Sequence, residues 1–248
     1  MDIGRFISQI DTCFNRNDIK GARECSKFWE QEARDEKDDR ALLAVLNEQM
    51  GIYRREKRKQ KSLSICEECL FLIEKLGIQD SVSGATIMVN VATTKSFFKQ
   101  EEDALKLYDR AAEIYENSKK TFCYEYASLL NNRAGTLRAL KRYDLAEKNW
   151  FKAVEILKEE GNHDSDVAIS LSMLALMAYE TDPTAVGKIT MLLDEAWDCL
   201  NSERIIRDGN YAYAMKKCAP IFAYFRRETE AQALNETADE IYGKKFEV

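Results

Sequence analysis

The segments DALKLYDRAAEIY (103–115) and DLAEKNWFKAVEIL (144–157) are two copies of one pattern. In each, two small residues stand seven apart and an aliphatic follows three later: Ala104, Ala111, Ile114, then Ala146, Ala153, Ile156. Upstream the same frame holds Ser62, Cys69, Leu72. Downstream it holds Ile189, Ala196, Cys199 and then Ala231, Ala238, Ile241. The steps are 42, 42, 43 and 42 residues. A unit of this size cannot bury its own apolar face, so successive units must stack on one another.

A second apolar stripe precedes each of these segments, at spacings close to 3, 4 and 3. One set is Ala127, Leu130, Ala134, Leu137 and another is Ile169, Ser172, Leu176, Tyr179. The remaining sets begin at Leu43, Ala85 and Ala212. Such spacing puts one helical face against a neighbour. Each unit is therefore two antiparallel helices, A and B. Gly77 and Gly161 are expected just past the ends of B helices, where a left-handed residue closes the last turn. Asp182-Pro183 reads as N-cap followed by first helical residue, and Pro220 is expected to kink its helix. The chain has only 2 prolines and 10 glycines among 248 residues, which suits helices with short connections.

The expected architecture is all-α, a solenoid of about six antiparallel helix pairs forming a single domain over 1–248. Residues 1–36 form a degraded first pair, and the repeats cover 37–78, 79–120, 121–162, 163–205 and 206–247. The small residues at Ala134, Ala146 and Ala153, with Trp150 between the last two, resemble the tetratricopeptide repeat (TPR) pattern. Ala92, Ala104, Ala111 and Tyr108 repeat it. The unit is longer than the usual 34 residues, by about one turn per helix. This longer form resembles the repeats of kinesin light chains and of bacterial peptide-sensing regulators, whose A helices often read N-N-L-A; here residues 131–134 read N-N-R-A. The resemblance implies a right-handed superhelix with A helices lining a concave face, and a protein or peptide partner.

Composition narrows the function classes. Net charge is −6, which argues against bulk attraction to nucleic acid or anionic lipid. No apolar run approaches the ~20 residues of a membrane span, and the seven cysteines read as reduced thiols of a cytoplasmic protein. The one local exception to the acidic balance is RREKRKQK (54–61), with six cations and one acid. It could bind RNA, DNA or an acidic peptide. Because no aromatics interleave it, it is read first as a helix end whose cations favour the C-terminal dipole.

No catalytic constellation, cofactor motif or metal site is recognisable, so the chain is not expected to be an enzyme. His163 is the only histidine and lies in a polar link. The CxxC of Cys66 and Cys69 falls on packing positions of the repeat, where cysteine acts as a small hydrophobe. The candidate site is instead the concave face, read one position after each packing stripe. Gly51, Thr93 and Gly135 leave room there, while Asn47, Asn131, Arg54 and Arg138 surround it, with Asn90 and Asn132 on the flank. Amides can pair with a peptide backbone and arginine forks with a carboxylate. Met173, Met177 and Tyr213 supply an apolar end to the groove. The leading expectation is a scaffold for a peptide or extended protein segment. A peptide-responsive regulator comes second and a nucleic-acid binder third. Exposed ends of the array could also pair in a homodimer.

Overall fold

The computed structural model describes residues 1–121 and 123–243. These contain twelve α-helices and no strand: α1 (Ile3–Asn15), α2 (Ile19–Asp35), α3 (Asp39–Arg55), α4 (Lys59–Lys75), α5 (Val82–Phe97), α6 (Glu101–Asn117), α7 (Tyr124–Ala139), α8 (Tyr143–Glu160), α9 (Asp164–Thr181), α10 (Val186–Leu200), α11 (Gly209–Tyr224) and α12 (Glu228–Gly243). Odd-numbered helices are the A helices and even-numbered ones the B helices. The chain divides into two compact units, Met1–Thr121 with α1–α6 and Phe122–Val248 with α7–α12.

Within the first unit, α1 packs on α2, α3 on α4 and α5 on α6, and α3 also meets α2 and α5. Within the second, α7 packs on α8, α9 on α10 and α11 on α12, while α9 also meets α8 and α11. The small residues of the repeat make this possible. Ser62 and Cys69, Ala104 and Ala111, Ala146 and Ala153, and Ala238 are all fully buried. Between them Cys66, Tyr108 and Trp150 fill the same place in successive B helices. Tyr108 is tied by its hydroxyl to Thr93 Oγ1 (2.9 Å) and Tyr115 to Thr86 Oγ1 (2.7 Å), so two large B-helix side chains bury without orphaning a polar atom.

Five of the six A-to-B turns share one geometry. The residue after the helix cap takes a left-handed conformation: Asn17, Lys57, Lys99, Lys141 and Arg226, with φ between 52° and 66°. Its N–H and the next close back on the helix. At the first turn of the repeat proper, Lys57 N–H bonds Arg54 O (3.0 Å) and Arg58 N–H bonds Tyr53 O (2.9 Å). This is the Schellman arrangement, which satisfies carbonyls that a helix end would otherwise leave bare. Gly77 and Gly161 are also left-handed, at φ 66° and 76°, past the ends of α4 and α8.

Two local expectations are corrected. Asp182-Pro183 does not start a helix: α10 begins at Val186, and the Asp182 carboxylate instead accepts from Thr184 N–H (2.9 Å) and Thr184 Oγ1 (2.6 Å). The packing stripe of α9 lies one residue earlier than the spacing suggested. Ala168, Leu171, Ala175 and Ala178 are buried, whereas Ile169, Leu176 and Tyr179 are only half-buried. The α9–α10 connection is one residue longer than the other A-to-B turns, and this offsets the A helix from its B partner. Helix α11 runs through Pro220 without ending there. Among the described residues, no helix is long and apolar enough to cross a membrane.

Candidate functional site

In the first unit the expected face is built by α3 and α5. Asn90 Nδ2 donates to Asn47 Oδ1 at 2.9 Å, and Asn47 Nδ2 donates to Glu48 Oε1 at 3.1 Å. Arg54 Nη1 donates to Thr94 Oγ1 at 3.0 Å. The amide pair and the arginine bond therefore join successive A helices to one another. Between them lies Gly51, in the interior of α3. A Cβ added there would meet no atom within 4 Å.

The second unit repeats this arrangement on α7 and α9. Ser170 Oγ donates to Asn131 Oδ1 at 2.8 Å. Arg138 forms a two-pronged ion pair with Glu180, its Nε donating to Oε2 at 2.8 Å and its Nη2 to Oε1. The carboxylate expected from a ligand is thus supplied by the next A helix. Asn132 turns back on its own helix, Nδ2 donating to Ser128 O at 2.9 Å. Gly135, the counterpart of Gly51, is again open, with no atom within 4 Å of an added Cβ. The glycines therefore do not mark close helix contacts.

The apolar end differs from expectation. Met177 is only 3% exposed. With Ala175 aligned to Met50, Ala92 and Ala134, Met177 takes the place of Ile52, Thr94 and Thr136, all buried. It is a packing residue, and the register offset in α9 accounts for the change. Met173 is half-buried. Tyr213 is 41% exposed, with Lys217 Nζ at 5.2 Å from its ring centroid. The periodicity did not single out a cluster of three rings beside Glu180. Tyr179, Tyr224 and Phe225 lie 5.2 to 5.7 Å apart by centroid and nearly perpendicular, and Tyr224 is 56% exposed. Once α9 is correctly framed, Tyr179 occupies the position of Arg54 and Arg138. The small pair Ala168 and Ala175, seven apart, was the signal that could have revealed it.

The two cysteines of the CxxC are packing residues. Cys66 and Cys69 are fully buried, and Cys66 Sγ lies 3.5 Å from Met50 Sδ. Burial pushes the Cys66 thiol up to about 11 and Cys69 higher still, away from the thiolate that nucleophilic or metal chemistry needs. His163 stacks on Tyr124 at 4.8 Å and approaches Glu160 Oε2 at 3.7 Å, at the start of α9. Burial raises the carboxyl of nearby Asp166 and takes the Tyr124 hydroxyl to about 12. Among the described residues, no three His, Cys, Asp or Glu side chains gather where they could hold a metal ion.

Several solved structures share this arrangement of helices. The chain is similar to BtubC (BKLC) from P. vanneervenii, at 17% identity and a TM-score of 0.60, over 100% of this chain and 95% of that one. It is also similar to a Podosopora anserina putative kinesin light chain with nearly identical TPR-like repeats. There the identity is 15% and the TM-score 0.58, over 80% of this chain and 93% of that one. The fold is a TPR-like repeat. The apo form of the quorum sensor NprR from B. thuringiensis matches at 14% identity and a TM-score of 0.59, over 93% of this chain but 62% of that one. No family model and no curated protein matches the sequence.

Proposed function

We propose that the chain is a non-enzymatic repeat scaffold that holds a peptide or an extended segment of another protein against its A helices. One observation carries the reading. Gly51 and Gly135 sit at equivalent interior positions of α3 and α7, and each opens onto empty space. Glycine in a helix interior is about 1 kcal/mol worse than alanine, and neither position has a packing reason to exclude a methyl group. An incoming backbone that must approach the helix closely is a reason. The flanking amides of Asn47 and Asn131 are within reach of such a backbone. Their bonds to Asn90 and Ser170 leave each with further hydrogen-bonding capacity.

Reversing Arg138 to glutamate would be an ambiguous test, because it also breaks the pair with Glu180. A steric plug is cleaner. Peptides are selected from a random library on the full chain, and their affinities are remeasured by calorimetry on Gly51→Trp and Gly135→Trp. Loss of binding in either variant, with unchanged helicity by circular dichroism, supports the reading. Selected peptides indifferent to both plugs would refute it. The second reading, a peptide-responsive regulator, draws its support from the likeness to a quorum sensor. It additionally requires hydrogen exchange to slow across several repeats when the selected peptide is added.

A further inference from the structure

The basic run 54–61 is explained only in part by helix electrostatics. Arg54 and Arg55 close α3, where cations favour the dipole. The others lie beyond that end. Arg58 is the N-cap of α4 and makes no side-chain cap bond, and Lys59 and Lys61 stand in the first turn of α4, which contains no acidic residue. A helix start favours carboxylates and disfavours ammonium groups. The sequence here is the reverse of what stability asks, whereas the comparable start of α6 carries Glu101, Glu102 and Asp103.

The cations are also gathered and presented. Arg55, Lys57, Arg58, Lys59 and Lys61 are exposed. The Arg55 guanidinium lies over the Phe14 ring at 4.8 Å, which brings exposed Arg16 of the α1–α2 turn to the same edge of the first unit. The acid within the run is already engaged. Glu56 is held by Arg23 and by Arg58 Nε (3.0 Å). No carboxylate among the described residues pairs with Lys57 or Lys59. On a chain of net charge −6, this edge has the opposite sign.

We propose that this edge of the first unit, centred on Lys57, Lys59 and Lys61, is a docking surface for an acidic protein segment. The surroundings select among anionic partners. Tyr53 is buried and Phe14 is half-buried beneath Arg55, so no exposed ring among the cations could stack on a nucleotide base. Ile52 is buried as well, so no apolar side chain of that turn is free to enter a lipid surface. What remains is a strip dominated by lysines, which are mobile point charges that suit a run of carboxylates and need no fixed fork geometry. Its three central lysines lie outside α3 and are not among the residues of the open glycine faces.

The test uses the full chain and a fluorescein-labelled peptide of eight consecutive glutamates, followed by anisotropy. Binding is expected at 50 mM salt and should weaken steeply by 300 mM, since exposed charges are screened within about 10 Å at moderate ionic strength. The variant Lys57→Glu/Lys59→Glu/Lys61→Glu should bind at least about tenfold more weakly. Gly135→Trp should bind as the parent does. The melting temperature of Lys59→Glu/Lys61→Glu should stay level or rise, because glutamates suit the start of α4. A lowered melting temperature with unchanged peptide binding would mean that the lysines serve the fold, and would overturn the proposal. So would absence of binding at 50 mM salt. Tighter binding of a 20-nucleotide RNA, or of vesicles containing phosphatidylserine, would also overturn it by assigning the edge to another class of partner.

Discussion

Three helix-interior glycines in one chain face opposite local circumstances, and a single alanine substitution at each separates them. At Gly135 a Cβ meets nothing within 4 Å, and the same is true at Gly51. At Gly84, in the first turn of α5, the Cβ would sit 2.1 Å from the carbonyl oxygen of Ile78 and 3.1 Å from its carbon. That carbonyl is not free to move. It accepts the Ser81 hydroxyl at 2.7 Å and the Ser81 N–H at 3.0 Å, which together fix the turn into α5. Gly135→Ala therefore removes only the entropic penalty of glycine, about 0.5–1 kcal/mol. For a chain of this size that corresponds to a rise of ~1–4 °C in melting temperature. Gly51→Ala should give a similar rise, and the double variant roughly the sum. Gly84→Ala gains the same entropy but forces a backbone overlap, so it should destabilise by ~1–3 kcal/mol. Differential scanning calorimetry on the four variants reads all of this. A drop in melting temperature for Gly135→Ala would mean that the space beside α7 is not open. Glycine at 135 would then have a packing reason and need no ligand to explain it.

The Arg138–Glu180 pair is partly exposed, so its coupling in a double-mutant cycle with Arg138→Ala and Glu180→Ala should be no more than about 1 kcal/mol by chemical denaturation. A coupling of several kcal/mol would contradict that estimate. Alkaline pH should destabilise the chain, with Cys66 contributing in the first unit. The Cys66 thiol is held near 11 by burial, above the value of an unfolded cysteine, so the native state keeps its proton longer. The resulting stability is fully present below about pH 8.5 and is lost as pH rises towards 11, by up to about 3 kcal/mol. Cys66→Ala should make that decline shallower by one thiol's share between about pH 8.5 and 11, the thiols of Cys69, Cys199 and Cys218, also raised by burial, still contributing, at the expense of a cavity penalty that does not vary with pH. An unchanged slope in the variant would place the titrating group elsewhere.

Much of this fold was legible because its constraints are local and periodic. A small residue every seven positions in a B helix is needed wherever two backbones approach, and serine at 62, cysteine at 69 and alanine at 104, 111, 146 and 153 meet that need. Helix ends were less secure. Asp182-Pro183 carries the residue types of a helix start, yet the carboxylate is taken by Thr184 and the helix begins later. In α9 nearly every residue is apolar or small, so the hydrophobic count barely distinguishes adjacent registers. The spacing alone favours a register one residue away from Ala168 and Ala175, which turns Met177 outward, whereas it packs inward.

The candidate face was harder to read for a different reason. A period tells which side of a helix a residue occupies but not which neighbour it will bond. Asn47, Asn131, Arg54 and Arg138 are each joined to the following A helix by a partner some 40 residues away. Those partners are Asn90, Ser170, Thr94 and Glu180, polar residues whose sequence signal is indistinguishable from that of a solvated surface. The pairing bears on mechanism. A ligand that engages Arg138 must compete with a carboxylate already in place, whereas one that lies along the open glycine need displace nothing but water. Affinity for an extended segment should therefore depend more on close backbone approach at Gly51 and Gly135 than on a charge at Arg138. A selected peptide whose binding survives Arg138→Ala but not Gly135→Trp would have that character; the reverse pattern would make the ion pair the recognition element and the glycine incidental.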